Sequence, residues 1–380
     1  MLPLGLLQKF KKKLKNKENS LYYIVAGEAS GDLHGFHLMR SCNSLASNVA
    51  FRGVGGPRMQ SLGLTSLVDF NRLAVMGFIE VLRDILFFIK LKRFLIKDIK
   101  KHRPQKIILI DYPGFNLSLA KTIKSFINTP VFFYISPQVW AWKEGRIKQI
   151  KKHVDKLIVI FPFEVAWYRK RGVRVEFFGH PLVDLTQKQN IASPNNQIKT
   201  IGIFPGSRRQ EILKHLPVLQ KTISLLRNQR PELQFILCRA PGLDKTTRQL
   251  LKNMNIDRVV NNSQEALAGS AAAIVASGTA TLECAISNTP FVVIYKTSTI
   301  SWLLAKYFLS IPFVSIVNII AKKKIVEEFL QNKARPQDIA RETLRLLNKP
   351  QNIKKNLLKV RNALGSGDVY KKTARFIINY

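Results

Sequence analysis

The sequence has 380 residues, of which 46% are hydrophobic, and this length exceeds what one ordinary core accommodates, so two domains are predicted. The formal net charge is +37, from 61 lysines and arginines against 24 aspartates and glutamates, which indicates attraction to polyanions: nucleic acid, an anionic membrane surface or phosphorylated substrates. Cys42, Cys238 and Cys284 lack CxxC or histidine-partner spacing, which argues against a disulfide framework or a structural zinc site and favours a reducing compartment.

The first 20 residues have the reverse polarity of a signal peptide. Leucines and Phe10 come before the lysine run that begins at Lys11, whereas a signal peptide places its positive charge before the apolar core. The segment is interpreted as a basic amphipathic tail suited to a membrane surface, with a disordered tail as the alternative. No apolar run in the sequence reaches the ~18 residues that a membrane-spanning helix requires.

A strand, a turn of small residues and a helix open the first predicted domain. Residues 21–26 are apolar and rich in β-formers, and helical periodicity begins at Leu33. This order is typical of a doubly wound α/β domain, in which ligands bind at the carboxyl ends of the strands. The turn lacks G-x-G-x-x-G spacing, so dinucleotide binding is not indicated. Glu28 is the better functional candidate in this turn, and Asp32 is better explained as a helix cap.

Residues 73–103 interleave apolar and cationic side chains. A core helix usually has one apolar stripe, but this segment is apolar around much of its circumference, with Arg83, Lys90 and Lys97 among the aromatic residues. Such a pattern suits the headgroup level of an anionic bilayer, and a buried helix with snorkelling lysines is the alternative. The side chains assigned to membrane or acyl contact are Met76, Phe78, Val81, Leu82, Ile85 and Phe88.

Asp111 follows the apolar run 106–110, which predicts a buried strand. A carboxylate at the carboxyl end of such a strand is well placed to act as a general base, and a helix-capping aspartate is the alternative. The Pro113-Gly114 pair predicts a turn, and Asn116 is a candidate cap for the next helix.

The second half of the sequence contains two small-residue turns, each between a predicted strand and a predicted helix. Gly206, Ser207 and Arg208 follow the strand 200–204, and the segment 277–283 follows the strand 271–276. Such turns let backbone N–H groups and the positive end of a helix dipole approach an anion, although a Ser-Gly helix cap is the alternative for the second. Two such turns, each at the carboxyl end of a strand in the same α/β half, together predict a diphosphate site. The residues assigned to it from the second turn are Ser277, Gly278, Thr279, Ala280 and Glu283, whose carboxylate could accept hydrogen bonds from a ribose.

A carboxylate in one α/β half and a phosphate site in the other predict an enzyme that uses a nucleotide-activated substrate. No Asp-x-Asp pair occurs, so helix ends and Arg208 are expected to neutralise the leaving diphosphate without a metal. Neither a Walker A pattern nor a Gly-x-Ser-x-Gly pattern is present.

The chain resembles the lipid-A-disaccharide synthase family, GT-B glycosyltransferases of Gram-negative lipopolysaccharide synthesis. The resemblance extends from about residue 22 to residue 331 and is carried by six ordered motifs, at 26–32, 111–116, 136–142, 179–181, 204–211 and 277–283. It implies an α/β fold of GT-B type, with two Rossmann-like domains facing across a cleft and a C-terminal helix packing back on the first domain. The predicted boundaries are 1–20 for the tail, 21–185 for the acceptor and membrane-associated domain, 186–362 for the UDP-sugar domain and 363–380 for the returning helix.

The resemblance also implies the reaction and its residues. UDP-2,3-diacylglucosamine would be joined to 2,3-diacylglucosamine 1-phosphate, giving a β-1,6 disaccharide and UDP, with Asp111 as the base and no cofactor or metal. Arg208 and Glu283 match residues on the diphosphate and the ribose, and Asn318 falls in a further cleft motif. The residues assigned to the acceptor side of the cleft are Glu28, Ser30, Gly31, Asp32 and Asn116. The expected location is cytoplasmic, peripherally bound to the anionic inner membrane, and the oligomeric state is left open.

Two departures from the family pattern affect residues 321–328. This sequence has Lys322 and Lys323 where the family tends to have Gly-Arg, and Glu327 where a proline is usual. Two alternatives are retained: a GT-B relative that acts on a soluble UDP-sugar, such as an epimerase, and a basic nucleic-acid-binding protein. The apolar cationic segment argues against the first, and the lack of an RNA-module signature argues against the second.

Overall fold

The computed structural model describes residues 20–70, 73, 85–141, 144–186, 199–298, 302 and 312–380. The chain divides into two compact units. The first comprises the chain up to Pro181 together with Asp368–Tyr380, and the second comprises Leu182–Gly367. The C-terminal segment is therefore part of the first unit, although it follows the second unit in sequence.

The first unit is built on a parallel sheet. Its strands are β1 (Ser20–Ala26), β2 (Val49–Val54), β3 (Thr65–Ser66), β4 (Lys106–Ile110), β5 (Val131–Tyr134), β6 (Lys156–Val159) and β7 (Val175–Phe177). Its first six described helices are α1 (Ala29–Leu45), α2 (Pro57–Gln60), α3 (Ile85–His102), α4 (Pro113–Ile123), α5 (Arg146–His153) and α6 (Pro162–Arg169). In the described residues the strand order is β3-β2-β1-β4-β5-β6-β7, so the order reverses between β1 and β4. This reversal is a topological switch point, where α/β sheets bind ligands.

The central strands of this sheet are buried on both faces, which explains their continuous apolar sequences. In β4, all five residues are buried, from Lys106 to Ile110. On one face, the helices α3, α4 and α5 contribute Leu95, Leu117 and Ile150 to the same hydrophobic cluster as alternate strand residues. The cluster holds the carboxyl end of β4, and hence Asp111, in a fixed position.

The second unit repeats the same architecture. Its strands are β8 (Thr200–Phe204), β9 (Gln234–Cys238), β10 (Arg258–Val260), β11 (Ala272–Ala276), β12 (Phe291–Tyr295) and β13 (Glu328–Leu330). Its helices are α7 (Leu182–Thr186), α8 (Arg209–Gln229), α9 (Lys245–Lys252), α10 (Ser263–Ala268), α11 (Thr279–Ile286), α12 (Ile316–Ala321), α13 (Pro336–Asn348) and α14 (Gln351–Ala363). Across the described part of this unit the parallel strands follow the order β10-β9-β8-β11-β12-β13. The switch point lies between β8 and β11, and both strands end in a predicted small-residue turn.

The amphipathic helix α3 occupies the described part of the segment 73–103. Its buried face carries Leu91, Leu95 and Ile99, as in an ordinary core helix. Its other side also exposes large apolar side chains, namely Ile85, Leu86, Ile89 and Phe94. The segment therefore has a core stripe and a separate exposed apolar surface. Within the ranges that the structure describes, no helix combines the length and the apolar character that spanning a bilayer demands.

The C-terminal helix α15 (Val369–Asn379) packs against α1 in the first unit. The Tyr370 hydroxyl lies 2.8 Å from Nδ1 of His34, and the ring of Tyr370 stacks on His37 at 4.9 Å between centroids. Lys106 Nζ donates a hydrogen bond of 2.7 Å to the carbonyl of Ile378, near the end of α15. These contacts explain why the last residues belong to the first unit.

Two histidines, His34 (half-buried) and His180 (buried), should make the stability of the first unit depend on pH. Burial lowers the pKa of His34 to about 4, with His37 as a second cause, and burial lowers the pKa of His180 to about 3, with His34 as a second cause. Both pKa values lie below the ordinary value of 6.5, so at these two residues the unfolded chain binds more protons than the folded chain in that interval.

The contribution of these two histidines to the free energy of unfolding should therefore be fully present above about pH 6.5 and should decrease as the pH falls toward 4. Burial raises the pKa of Asp111 and of Glu164 in the same unit, and these two groups act in the opposite direction. The expected slope is up to ~1.4 kcal/mol per pH unit for each histidine. Chemical denaturation of the wild type and of His180→Asn at pH 7, 6 and 5 measures the contribution of His180 as the difference between the two proteins, which should grow as the pH falls. The same dependence on pH in both proteins would show that His180 does not titrate on unfolding.

Candidate active site

In the first unit, Asp111 stands at the carboxyl end of β4, beside the switch point. Its backbone has a φ of 47°, and that of Tyr112 has a φ of 50°, so two consecutive residues adopt the left-handed conformation. Such a conformation is uncommon for residues other than glycine and persists only where other contacts hold it. The Asp111 N–H donates a hydrogen bond of 2.9 Å to the carbonyl of Tyr134, which ties the turn to β5.

Asn116 fixes the same turn from inside helix α4. It is fully buried, and its Nδ2 donates to the carbonyls of Ile110 and Asp111 at 3.2 Å and 2.8 Å. Asn116 is therefore not the cap of α4 that the sequence suggested, because the helix begins at Pro113 and its N-cap is Tyr112. The physical reason is that the amide bonds backwards to the strand end, which lets it stabilise the Asp111 turn.

The Asp111 carboxyl group lies in an environment that disfavours its charge. Burial, and after it the nearby negative charge of Glu28, raises the pKa of Asp111 to about 6. Glu28 is exposed at the N-cap of α1, directly after the neighbouring strand β1. A carboxylate with a pKa near 6 holds a proton more strongly than an ordinary aspartate while still being ionised at neutral pH, as a general base requires.

The other acceptor-side residues of the β1 turn have different environments. Ser30 is exposed, whereas Gly31 is buried, and a Cβ on Gly31 would lie 3.2 Å from the Cβ of Ala26. Asp32 is 4% exposed, and its carboxylate accepts hydrogen bonds from the backbone N–H groups of Arg58 and Met59, at 3.3 Å and 3.1 Å. Asp32 thus caps the first turn of α2 rather than its own helix.

An aromatic cluster connects Asp111 to the apolar helix α3. The Phe88 ring lies 6.2 Å from that of Tyr112 and 5.9 Å from that of Phe115, measured between centroids. Ile85, in the same helix, is 56% exposed. The structure thus places the predicted acyl-contact residue Phe88 beside the turn that carries Asp111. The other residues assigned to this contact, Met76, Phe78, Val81 and Leu82, lie outside the described residues, as does the tail 1–19.

In the second unit, both small-residue turns line one cavity of about 340 Å³ at the carboxyl ends of the strands. The turn after β8 contributes Gly206 and Ser207, and the turn after β11 contributes the segment 276–280. Gly206 has a φ of 112° and Gly278 a φ of 149°, conformations that side-chain-bearing residues rarely adopt. The cavity is large enough for a small-molecule ligand, and helix α11 begins at its wall with free N–H groups.

Glu283 lines this cavity from the first turns of α11. Its carboxylate accepts a hydrogen bond of 2.9 Å from the Ser263 hydroxyl, at the start of α10. Burial raises the pKa of Glu283, and the hydrogen bond from Ser263 acts in the opposite direction. The carboxylate is therefore held in one orientation and has further acceptor capacity for hydroxyl groups of a ligand.

Arg208 lies at the edge of the cavity rather than in its wall. Its side chain is 81% exposed and forms an ion pair of 3.2 Å with Glu211, which does line the cavity. An exposed arginine on the N-cap of α8 is free to reorient toward an anion at the helix end.

Asn318 is fully buried, and its polar groups bond within the protein. Its amide nitrogen donates to Glu328 at 2.8 Å, and its oxygen accepts from the backbone N–H of Val326 at 3.0 Å. Glu328 in turn accepts from the N–H of Val314, whose carbonyl accepts a hydrogen bond from the Ser277 hydroxyl. Asn318 therefore reaches the cavity indirectly, by supporting the loop that holds Ser277.

The structure adds cavity residues that the motifs did not identify. They are Cys238, Arg239, Asn261 and Ser263, and Glu211 of the motif 204–211 also lines the cavity. Arg239 Nε donates a hydrogen bond of 2.9 Å to Asn261 Oδ1, which joins the ends of β9 and β10. Because these four residues lie at or just after the carboxyl ends of β9 and β10, the rule that ligands bind at the carboxyl ends of parallel strands could have found them. In the described part of the chain, no three histidine, cysteine, aspartate or glutamate residues cluster as a metal site would require.

Two parallel sheets with this strand order, each with polar residues at its switch point, define an α/β protein of the GT-B type. MurG from Acinetobacter baumannii is similar in fold, with a TM-score of 0.56 and 11% identity over 95% of this chain and 100% of that one. A UDP-GlcNAc 2-epimerase from Neisseria meningitidis, solved bound to UDP-GlcNAc, is similar with a TM-score of 0.63 and 12% identity over 95% of this chain and 99% of that one.

The sequence comparison identifies the family within this class. The profile described as lipid-A-disaccharide synthetase matches residues 22–376. The lipid-A-disaccharide synthase of Trichlorobacter lovleyi is 39% identical over 373 residues, covering 94% of this chain and 96% of that protein. The chain therefore belongs to the lipid-A-disaccharide synthetase family, and it is a hexosyltransferase of lipid A biosynthesis.

Proposed function

We propose that the protein transfers 2,3-diacylglucosamine from UDP to the 6-hydroxyl of 2,3-diacylglucosamine 1-phosphate, with inversion at the anomeric carbon. The products are the β-1,6-linked disaccharide 1-phosphate and UDP. The observation that carries the proposal is the second unit's cavity, in which two glycine-containing turns and a half-buried glutamate, Glu283, converge at the switch point. Family membership supports a sugar donor activated by UDP in this cavity.

The donor would bind through its diphosphate and its ribose. The backbone N–H groups of Gly206, Ser207 and the first turn of α11 would contact the diphosphate, since helix N-termini favour anions. Glu283, oriented by Ser263, would accept hydrogen bonds from the ribose hydroxyls. Arg208 would move from Glu211 onto the diphosphate and stabilise the charge that develops as UDP leaves.

Asp111 would act on the acceptor in the first unit. As the 6-hydroxyl oxygen forms a bond to the donor's anomeric carbon, its proton passes to the Asp111 carboxylate and the bond to UDP breaks. A single displacement of this kind needs one base and forms no glycosyl-enzyme intermediate. The left-handed turn, held by Asn116, would fix the carboxylate against the incoming hydroxyl.

The acyl chains of both substrates would bring the enzyme to an anionic membrane. Helix α3 supports this part of the proposal, since it exposes Leu86, at 69%, and Phe94, at 49%, beside the cationic residues Lys90 and Arg93. The aromatic contact between Phe88 and Tyr112 places this helix next to Asp111, so an acyl chain at α3 would hold its sugar near the base. The location would be peripheral, on the cytoplasmic face of the inner membrane.

The release of UDP from UDP-2,3-diacylglucosamine tests this proposal. We expect release that depends on added 2,3-diacylglucosamine 1-phosphate and a disaccharide product in equal amount. Release of UDP at the same rate without the acceptor would contradict the transfer reaction and favour an epimerase-like or hydrolytic activity.

The pH dependence of kcat/KM should report the Asp111 carboxyl. Because its pKa is raised to about 6 and the ionised form is the base, activity should fall as the pH decreases through 6. Glu28→Gln removes the neighbouring negative charge and should lower the pKa of Asp111, so the decrease in kcat/KM on the acid side, the acid limb, should move to lower pH. Glu144→Gln, which removes a carboxylate paired with Arg171 elsewhere in the unit, should leave the limb unchanged. A limb that stays in place in Glu28→Gln would contradict the coupling between Glu28 and Asp111.

The Arg208 side chain should contribute to UDP affinity. Arg208→Ala should weaken UDP binding by about 10-fold or more, because a charge-assisted hydrogen bond contributes roughly 1.5–3 kcal/mol. Isothermal titration calorimetry with UDP measures this change. Arg209→Ala removes the same charge from the next residue, which faces Asp244 at 3.9 Å, and should leave the affinity nearly unchanged. Equal losses in both variants would indicate a general effect of net charge instead.

A further inference from the structure

A buried histidine lies behind the turn after β8, which lines the second unit's cavity, called here the donor cavity. It has no role in the reaction proposed above. His215 is fully buried in α8. Its Nδ1 lies 2.8 Å from the carbonyl oxygen of Pro205, and its Nε2 lies 2.9 Å from the backbone nitrogen of Lys296. One side chain therefore connects the turn after β8 to the residue that follows β12.

The two partners determine which ring nitrogen carries the proton. The Lys296 N–H is a donor, so Nε2 must accept, and Nδ1 must carry the hydrogen that it donates to Pro205. Burial is the main cause that lowers the pKa of His215, and this favours the neutral ring that the two bonds require. The ring is thus held in one orientation and one tautomer.

The bond to Pro205 also determines the direction of the next N–H group. In a trans peptide, the C=O of one residue and the N–H of the next point in opposite directions. With the Pro205 carbonyl directed at His215, the Gly206 N–H points away from the buried face of α8. Gly206 lines the donor cavity, and its φ of 112° gives the turn a conformation that few other residues would maintain.

The bond to Lys296 connects this turn to the other side of the switch point. Strands β8 and β12 flank β11 in the sheet, and the end of β11 carries the second turn. The Ser277 N–H in that turn bonds to the carbonyl of Ile294 in β12, at 3.0 Å. Through Lys296 and β12, His215 therefore fixes the first turn relative to the strand that also holds the second.

We infer that His215 is a positioning residue for donor binding, whose Nδ1–H holds the Pro205 carbonyl and thereby directs the Gly206 N–H toward the donor's diphosphate. This inference rests on the proposed function, since it assigns UDP to the same cavity. His215 contacts neither the donor nor the reacting atoms, so its replacement should change donor affinity more than turnover.

Titration of UDP into the full-length chain tests the inference with variants that separate the two bonds. Asparagine places its amide nitrogen near the Nδ1 position and can still donate to Pro205, whereas glutamine reaches the Nε2 position and can only replace the bond to Lys296. His215→Asn should keep the UDP dissociation constant within about threefold. His215→Gln and His215→Leu should raise it about 10-fold, the expected effect of leaving a buried carbonyl without its partner.

Thr222→Ala is the matched control. Thr222 is fully buried on the same helix and bonds to the carbonyl of Val218, outside the cavity lining. This variant should lower the melting temperature without changing UDP affinity. In His215→Gln, the KM for the donor should rise about 10-fold, while kcat at saturating donor changes less than about threefold.

The outcomes distinguish this inference from the function on which it rests. Wild-type affinity in His215→Gln and His215→Leu would overturn it, and so would a loss in His215→Asn as large as in His215→Leu, because packing alone would then explain the effect. Failure of the wild-type chain to bind UDP would overturn the proposed function, and this inference with it.

Discussion

Replacing Asp111 with alanine is expected to lower turnover by about 10²–10⁴-fold, the usual cost of losing a general base. The UDP dissociation constant should change little, because Asp111 belongs to the first unit and the proposed UDP-binding residues belong to the second. Steady-state kinetics with both lipid substrates, together with UDP titration, measure the two effects separately.

Asp111→Asn provides the control for structure. It removes the base but keeps the size of the side chain, so it should lose activity as Asp111→Ala does. Because burial raises the pKa of Asp111, ionising this group at pH 7 opposes folding, and the neutral amide should not lower the melting temperature. Near-normal turnover in either variant would show that another group takes the acceptor's proton.

Replacing Gly206 with valine should weaken UDP binding by about 100-fold. At a φ of 112°, a β-branched residue is strongly disfavoured, so the turn after β8 must change conformation and its N–H groups must leave the cavity wall. An effect of this size corresponds to roughly 2.7 kcal/mol, in the range expected for backbone strain combined with lost hydrogen bonds. Calorimetric titration with UDP measures the change in affinity.

Gly63→Val is the matched control for this substitution. Gly63 has a φ of 88°, so valine is similarly strained there, but it lies in the turn after α2 in the first unit and not in the donor cavity. The control should be destabilised and should bind UDP normally. If Gly206→Val bound UDP as tightly as the control, the turn after β8 would not be part of the nucleotide site.

The buried central strands could be predicted closely from the sequence. The expected runs at 106–110 and 200–204 coincide with β4 and β8, and those at 21–26 and 271–276 differ from β1 and β11 by one residue at the start. Continuous apolar runs bounded by polar turns carry this signal, because these strands are covered on both faces. The short strands β3 and β13 were missed. Their two and three residues include Thr65, Ser66 and Glu328, and so few residues provide no periodicity.

The direction of individual polar side chains could not be read from the sequence. Asp32 and Asn318 are in recognisable motifs, yet both are buried and bonded to backbone groups or to another side chain. A motif identifies the turn, but hydrogen-bond partners distant in sequence decide whether a side chain faces ligand or protein. His215 is the opposite case, because no motif marks it and yet it supports the cavity. It lies in an ordinary helix, and its partners Pro205 and Lys296 become adjacent to it only in the fold.

The anomeric configuration of the reaction product tests the central claim most directly. Nuclear magnetic resonance of the disaccharide formed from UDP-2,3-diacylglucosamine and 2,3-diacylglucosamine 1-phosphate reports the configuration at the new linkage. The proposal predicts a β-1,6 linkage whose configuration is inverted relative to the donor and whose formation requires Asp111. A product that retains the donor's configuration would require a nucleophile on the enzyme and would contradict a single displacement assisted by one base.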